Sequence, residues 1–287
     1  KVKYQGFQND LQAAVVALRY DRPEMLWLDG VVSSVIHLTE TPGGVQVSNL
    51  SYVFHLPYEG REQELYSGMT AAAADIAKEA AKAPDTYSRV LKAHQLIAGR
   101  AEYESDPQSP MAELLSHSAY SALVGEDEYE PVCDGYSKAF KLVLDQMGID
   151  CVLVSSAGHM WNNVRMENGL WYNVDLTWND GQQAGEGDYL LVGSQTVIAA
   201  ERFCDQESHI EIDPFLDAGL TVKDMKYPQK SDEAYEYLGY DQPNCDGYYP
   251  QYPDVAQDHW AYEDIRRVTE LGYFEGDSRG RFCPEEG

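Results

Sequence analysis

The chain has 287 residues, 44% of them hydrophobic, and carries 48 acidic against 21 basic side chains for a formal charge of −27. Such a charge repels nucleic-acid phosphates and anionic membranes at long range, which argues against a nucleic-acid partner and fits a solvated surface. No run of about 18 apolar residues occurs, so no membrane span is expected, and the length suffices for a sizeable core divided over two domains.

Leu11, Ala14, Val15 and Leu18 recur at helical spacing and predict a short core helix over 10–20 that ends before Pro23. The segments MLWLDGVVSSVIHL, GGVQVSNL and SYVFHLP, punctuated by Asp29-Gly30 and Pro42-Gly43-Gly44, read as strands, with His37 and His55 as packed strand histidines. The alanine-rich stretch 62–82 predicts a long helix, broken at Ala83-Pro84-Asp85. A second helix over 85–100 places Tyr87, Val90, Leu91, His94 and Ile97 on one face. Residues 112–124, with His117 among them, are compatible with a short helix or a loop.

After Pro131 the apolar residues Tyr136, Ala139, Phe140, Val143, Leu144 and Met147 fall at i, i+3, i+4, i+7, i+8 and i+11, with Gly148 in a C-cap position. A largely buried helix should therefore begin near Cys133. A thiol at a helix N-terminus meets free backbone N–H groups and the positive end of the helix dipole, which favour a thiolate and can receive an oxyanion. The five cysteines (133, 151, 204, 245 and 283) are an odd count with no CxxC pair, so nothing suggests zinc or a redox couple and at least one thiol should be free.

Residues 150–156 read as a strand, His159 opens a second one (MWNNVRM), and Glu167-Asn168-Gly169 reverses the chain into a third (LWYNVDLTW). The register of that hairpin decides what its side chains can do. A two-residue Asn-Gly turn would put His159 and Asp175 on opposite faces. A three-residue loop with Gly169 left-handed pairs Met166 with Leu170 and Trp161 with Asp175, so that His159 and Asp175 share a face. The bulged loop is the one expected here, and with it a triad in which His159 exchanges the thiol proton of Cys133 and Asp175 orients the imidazole. Taken singly, a buried cysteine, a histidine or an aspartate at a strand end is ordinarily structural; the joint pattern carries the expectation.

The segments VCDGYSKAFKLVLDQMGIDCVLVS, GHMWNNV and WYNVDLTWND resemble the bacterial transglutaminase-like domain of the papain-like cysteine superfamily, and the likeness extends more loosely over about residues 20–240. The resemblance implies an α+β fold with a papain-like core, in which a central helix bearing the cysteine packs on an antiparallel sheet. It implies Cys133 as nucleophile, His159 as general base and acid, and Asp175 as orienting residue. Candidate substrate-binding residues are Trp161 and Asn162 in the H-x-W-N segment, Trp178 in D-x-T-W, Tyr136 in C-x-G-Y, and His117 ahead of the cysteine. No EF-hand-like acidic cluster appears, so no metal and no cofactor is expected.

Beyond the triad, residues 188–194 read as a further strand, and 217–250, rich in Asp, Tyr, Pro and Gly, as a domain edge. The domains expected are 1–240 (strands and helices in 1–110, catalytic core in 111–215), a linker over 241–251, and 252–287. In the last, Trp260, Ile265, Val268 and Leu271 form an apolar stripe, and the segment resembles the first part of an S-layer homology repeat. Such repeats usually bind secondary cell-wall polysaccharide, which implies an exported, surface-associated bacterial protein acting on protein or cell-wall peptides. The expected chemistry is acyl transfer from amide carbonyls, by hydrolysis or transamidation. The alternative is an inactive scaffold that keeps the triad residues without turnover.

Overall fold

The computed structural model describes residues 2–30, 32–124, 129–180, 188–222, 226–237, 248–249, 252–256, 262 and 265. The chain divides into two compact units, 1–235 and 236–287. In chain order the first unit holds α1 (Val2–Asp21), the hairpin β1 (Val32–Thr41) and β2 (Gly44–Phe54), α2 (Glu62–Ala80), α3 (Thr86–Ala98), α4 (Pro110–Ser116), α5 (Ala119–Val124) and α6 (Cys133–Gln146). There follow β3 (Cys151–Ser155), β4 (Met160–Arg165), β5 (Trp171–Val174), the short α7 (Leu176–Asn179), β6 (Val197–Ile198), β7 (Glu201–Arg202) and α8 (Pro214–Asp217). In the second unit the described strands are β8 (Tyr248–Tyr249) and β9 (Tyr252–Ala256), an antiparallel pair. Most of the segment read as an S-layer homology repeat, and Cys245 and Cys283, lie outside the described residues.

The architecture is α+β, with helices around small antiparallel sheets. At its centre α6 buries Tyr136, Ala139, Phe140, Val143 and Leu144 completely, against Leu65, Met69 and Ile76 of α2, Val90 and Ile97 of α3, and the sheet β3-β4-β5. The helical spacing of those apolar residues is thus the reason α6 is surrounded. Its N-terminus sits unusually close to the preceding segment because residue 135 is glycine. A Cβ at Gly135 would lie 2.4 Å from the Ser116 carbonyl oxygen and 3.1 Å from that of Ser118, and Val132 N–H donates to the Ser116 carbonyl at 3.0 Å. Both close neighbours are backbone and cannot swing aside. Gly135→Ala should therefore destabilise the protein by about 1–3 kcal/mol, the range of overpacking, read as a lower urea midpoint at unchanged slope.

Several local expectations are corrected. α1 runs the full 20 residues to Asp21 and lies at the surface, with Ala13 buried, rather than forming a short core helix. Residues 26–28 form a 3-10 turn, and the two downstream strand segments merge into the single strand β2. The β1–β2 hairpin projects with both faces largely solvated, so His37 and His55 are exposed, not packed. Residues 112–124 contribute to two helices, α4 capped by Ser109 and then α5. The expected strand over 188–194 shrinks to one bridge, Asn173 to Val192. Leu191 there has φ 54°, which breaks extended geometry.

Candidate active site

Three elements meet at the N-terminus of α6. Val132 is extended and Cys133 is the first helical residue, so the N–H groups of the first turn have no carbonyl one turn behind them. Cys133 is partly accessible. His159 follows the turn after β3, where its carbonyl accepts from Ser156 N–H at 2.9 Å. Asp175 follows the last residue of β5 and caps α7, its Oδ1 accepting the Trp178 N–H at 3.1 Å.

The hairpin between β4 and β5 has the bulged register. Asn162 pairs with Val174 and Val164 with Tyr172. Met166 N–H donates to the Leu170 carbonyl at 3.0 Å, Gly169 N–H donates to the Met166 carbonyl at 2.8 Å, and Gly169 has φ 77°. Asn168 Oδ1 accepts the Leu170 N–H at 3.0 Å and stiffens the loop further. In this register His159 and Asp175 lie on one face, and His159 Nε2 stands 2.5 Å from Asp175 Oδ2.

The imidazole of His159 is also near enough to Cys133 for the thiol to influence its basicity. With Nε2 committed to Asp175, Nδ1 is the nitrogen left for the thiol. Burial alone would lower the basicity of His159. The hydrogen bond to Asp175 and the nearness of Cys133, with the negative charge both can carry, outweigh it and hold the pKa at about 10. Asp175 is fully buried, which opposes its ionisation, but hydrogen bonds from His159 and a second histidine, His209, hold its carboxyl below the usual range. Lys138, whose ammonium bonds Asp134 Oδ2 at 3.0 Å and the His117 carbonyl at 2.6 Å, adds a positive field felt at Cys133.

His209 was not singled out from the sequence. Its Nε2 lies 2.9 Å from Asp175 Oδ2, the same oxygen that meets His159. It comes from a 3-10 turn, Glu207–His209, with no apolar periodicity to mark it. Tyr103, on the loop after α3, is half exposed and close enough to Cys133 to feel its charge. His159, Asp175 and His209 bring two imidazole nitrogens and a carboxylate oxygen within 4.8 Å of one another, donor types and spacing that a transition-metal ion could use.

The proposed substrate residues divide sharply. Trp178 is 41% exposed, with its ring 6.2 Å from that of His159, and it can wall a cleft. A cavity of about 540 Å³ opens beside His159 and is lined by Trp178, Tyr189, Ile198, Glu201 and Glu207 among others. Trp161, Asn162 and Tyr136 are buried and offer a substrate no surface. Trp161 instead stacks behind His159, rings 6.1 Å apart and 16° from parallel, and donates Nε1–H to Asn173 Oδ1 at 3.1 Å. Asn162 ties β4 to α6 by donating to the Ser137 carbonyl at 3.0 Å, and the Tyr136 hydroxyl donates to Asp180 at 2.8 Å. His117 is paired with Asp134 at 2.7 Å rather than with Cys133, His159 or Asp175.

No family model matches the chain, and no curated protein matches it. A solved structure described as the crystal structure of a TGase aligns with 55% of this chain at 14% sequence identity and a TM-score of 0.34. The chain spans about half of that structure's length, 48% of it being covered.

Proposed function

We propose that the protein is a cysteine-nucleophile enzyme of transglutaminase-like type that transfers acyl groups from amide carbonyls through Cys133, His159 and Asp175. The observation that carries the reading is that the imidazole of His159, hydrogen-bonded to the buried carboxylate of Asp175, stands close enough to the helix-start thiol of Cys133 for that thiol to raise its proton affinity. A cationic His159 beside Cys133 favours the thiolate. In the first step the sulfur attacks the carbonyl carbon, the C–S bond forms, and the oxyanion develops toward the first-turn N–H groups of α6. His159 then gives its proton to the departing nitrogen as the C–N bond breaks. Water or an amine resolves the thioester by the reverse course, with His159 taking a proton from the incoming nucleophile. Asp175 keeps Nε2–H engaged throughout, so that Nδ1 always faces the sulfur.

The substrate class proposed is protein or cell-wall peptide, on an exported, surface-associated protein. The likeness of residues 252–287 to an S-layer homology repeat supports that setting and a secondary cell-wall polysaccharide as partner. Incubation with a panel of carboxamide-bearing peptides should release ammonia or a shorter peptide and leave, after acid quench, an acyl mass on the Cys133 peptide. Cys133→Ala should abolish both signals. No adduct and no release across glutamine-containing and cell-wall peptides would reject the reading.

A further inference from the structure

We propose that the outer edge of β3 takes an extended, uncharged peptide segment, in a cavity separate from the one beside His159. The first step is to follow the backbone groups of β3. Ser156 N–H donates to the His159 carbonyl and Arg165 N–H to that of Asp150, each at 2.9 Å, and between these two bonds β3 pairs with β4 from Cys151 opposite Val164 to Ser155 opposite Met160. Bonded and unbonded pairs alternate along an antiparallel ladder. Val152 and Val154 therefore bond to β4, while Cys151, Leu153 and Ser155 turn their N–H and carbonyl groups outward. In the sheet order β3-β4-β5 that outward side is a sheet edge. Two of its three rungs are occupied. The Cys151 carbonyl accepts from Lys141 Nζ at 2.9 Å. Ser155 gives its N–H to the Tyr227 hydroxyl at 3.3 Å, and its carbonyl accepts the Ile212 N–H at 2.9 Å. Leu153, between them, has no hydrogen-bond partner for its outward groups among the described residues, although it is only 2% exposed.

An unpaired buried peptide group is costly, and an open edge rung is what an added strand completes. The space for one is present. A cavity of about 420 Å³ opens at this rung, lined by Leu153 together with Ala17 and Tyr20 of α1, Ile212, Phe215 and Tyr227 among others. That volume lies in the range of ligand pockets, and the cavity shares no lining residue with the one beside His159. The Tyr20 hydroxyl, 2.8 Å from Ser155 Oγ, ties one wall to the strand end. A residue opposite Leu153 would exchange both backbone bonds with it, and the rings of Tyr20, Phe215 and Tyr227 would take an apolar side chain beside it. Charges on the lining are engaged within the protein. Lys230 Nζ bonds Glu211 at 2.5 Å, and Asp213 caps α8 by accepting the Phe215 N–H at 2.8 Å. An uncharged stretch of peptide therefore suits the cavity better than a charged one.

The test is titration of the 287-residue chain with the blocked peptide acetyl-Thr-Val-Phe-Val-Thr-amide, followed by amide NMR and hydrogen exchange. Saturable one-to-one binding is expected, with the Leu153 amide exchanging about tenfold more slowly at saturation. Singly N-methylated versions of the peptide read the strand pairing directly. Methylation at the residue opposite Leu153 should weaken binding about tenfold, and methylation at its immediate neighbours far less, because alternate N–H groups face away from β3. Ala17→Trp fills the cavity from α1 and should abolish binding. Cys133→Ala should bind the peptide as the parent does, so the result is separable from failure of the enzyme assignment. No saturation by millimolar peptide, an unchanged Leu153 exchange rate, equal affinity for every N-methylated version, full binding by Ala17→Trp, or loss of binding when Cys133 is alkylated, which would place the peptide in the cleft beside His159, each overturns the proposal.

Discussion

Iodoacetamide at pH 6 should alkylate Cys133 about 10- to 100-fold faster in the parent protein than in His159→Ala, and the two rates should converge above about pH 9. The size follows from thiolate fraction. An unassisted thiol of ordinary pKa near 8.5 is roughly 0.3% ionised at pH 6, whereas a thiol paired with an imidazolium is ionised nearly completely. Part of that gain of roughly 300-fold is returned, because a thiolate of lower basicity is a weaker nucleophile. The convergence at high pH separates activation from mere exposure, since a change in accessibility would persist at every pH. Burial pushes the Cys151 thiol up to about 12 and also raises that of Cys204, so neither should react at pH 6. Peptide mapping by mass spectrometry reads Cys133 separately from Cys245 and Cys283. Equal, slow labelling of Cys133 in both proteins at pH 6 would count decisively against an activated pair. Asp175→Asn should alter alkylation less than it alters turnover, because alkylation needs only the ion pair while turnover also needs the imidazole held in one orientation.

Much of this geometry could be read from residue spacing, and the reasons are local. The face of α6 follows from six apolar positions between Tyr136 and Met147, and the hairpin register follows from a glycine able to take φ 77° at the third loop position. What could not be read depends on chain segments that meet without periodicity. His209 reaches Asp175 from 34 residues downstream, out of a polar turn in which its own neighbours predict nothing. Trp161 and Trp178 look equivalent as aromatics near the hairpin, yet the first lies on a strand facing the core and the second on the first turn of α7, where it reaches solvent. The β1–β2 hairpin misleads for the opposite reason. Its alternating apolar residues, such as Val35, Val45 and Val47, imply a buried face, but they remain exposed.

Two histidines, the buried His94 and the partly buried His159, should bound the stability of the fold from opposite sides of neutrality. His94, on α3, is 2% exposed; its Nε2 meets Asn179 Nδ2 at 3.0 Å and its Nδ1 has no hydrogen-bond partner among the described residues. Burial lowers its pKa from the ordinary 6.5 to about 4, with the nearby Asp175 only partly opposing. As pH falls from 6.5 toward 4, the unfolded chain takes up a proton that native His94 refuses, so this site removes up to about 3 kcal/mol of unfolding free energy. His159 has the reverse sign. Its raised pKa means the native state keeps a proton that the unfolded chain loses above 6.5, so its contribution is complete below 6.5 and disappears as pH climbs toward about 10. Urea titrations should therefore give maximal stability near neutral pH, declining on both sides. His94→Leu distinguishes the two limbs. It leaves the Asn179 amide without its acceptor, at a cost of about 1–3 kcal/mol at pH 7.5. It also removes the acid-side proton uptake, so the decline between pH 6.5 and 5 should flatten while the alkaline limb keeps its slope. An acid limb of unchanged steepness in His94→Leu would assign the loss to carboxylates such as Asp175, whose proton affinity is lowered in the native state and whose contribution fades only at lower pH.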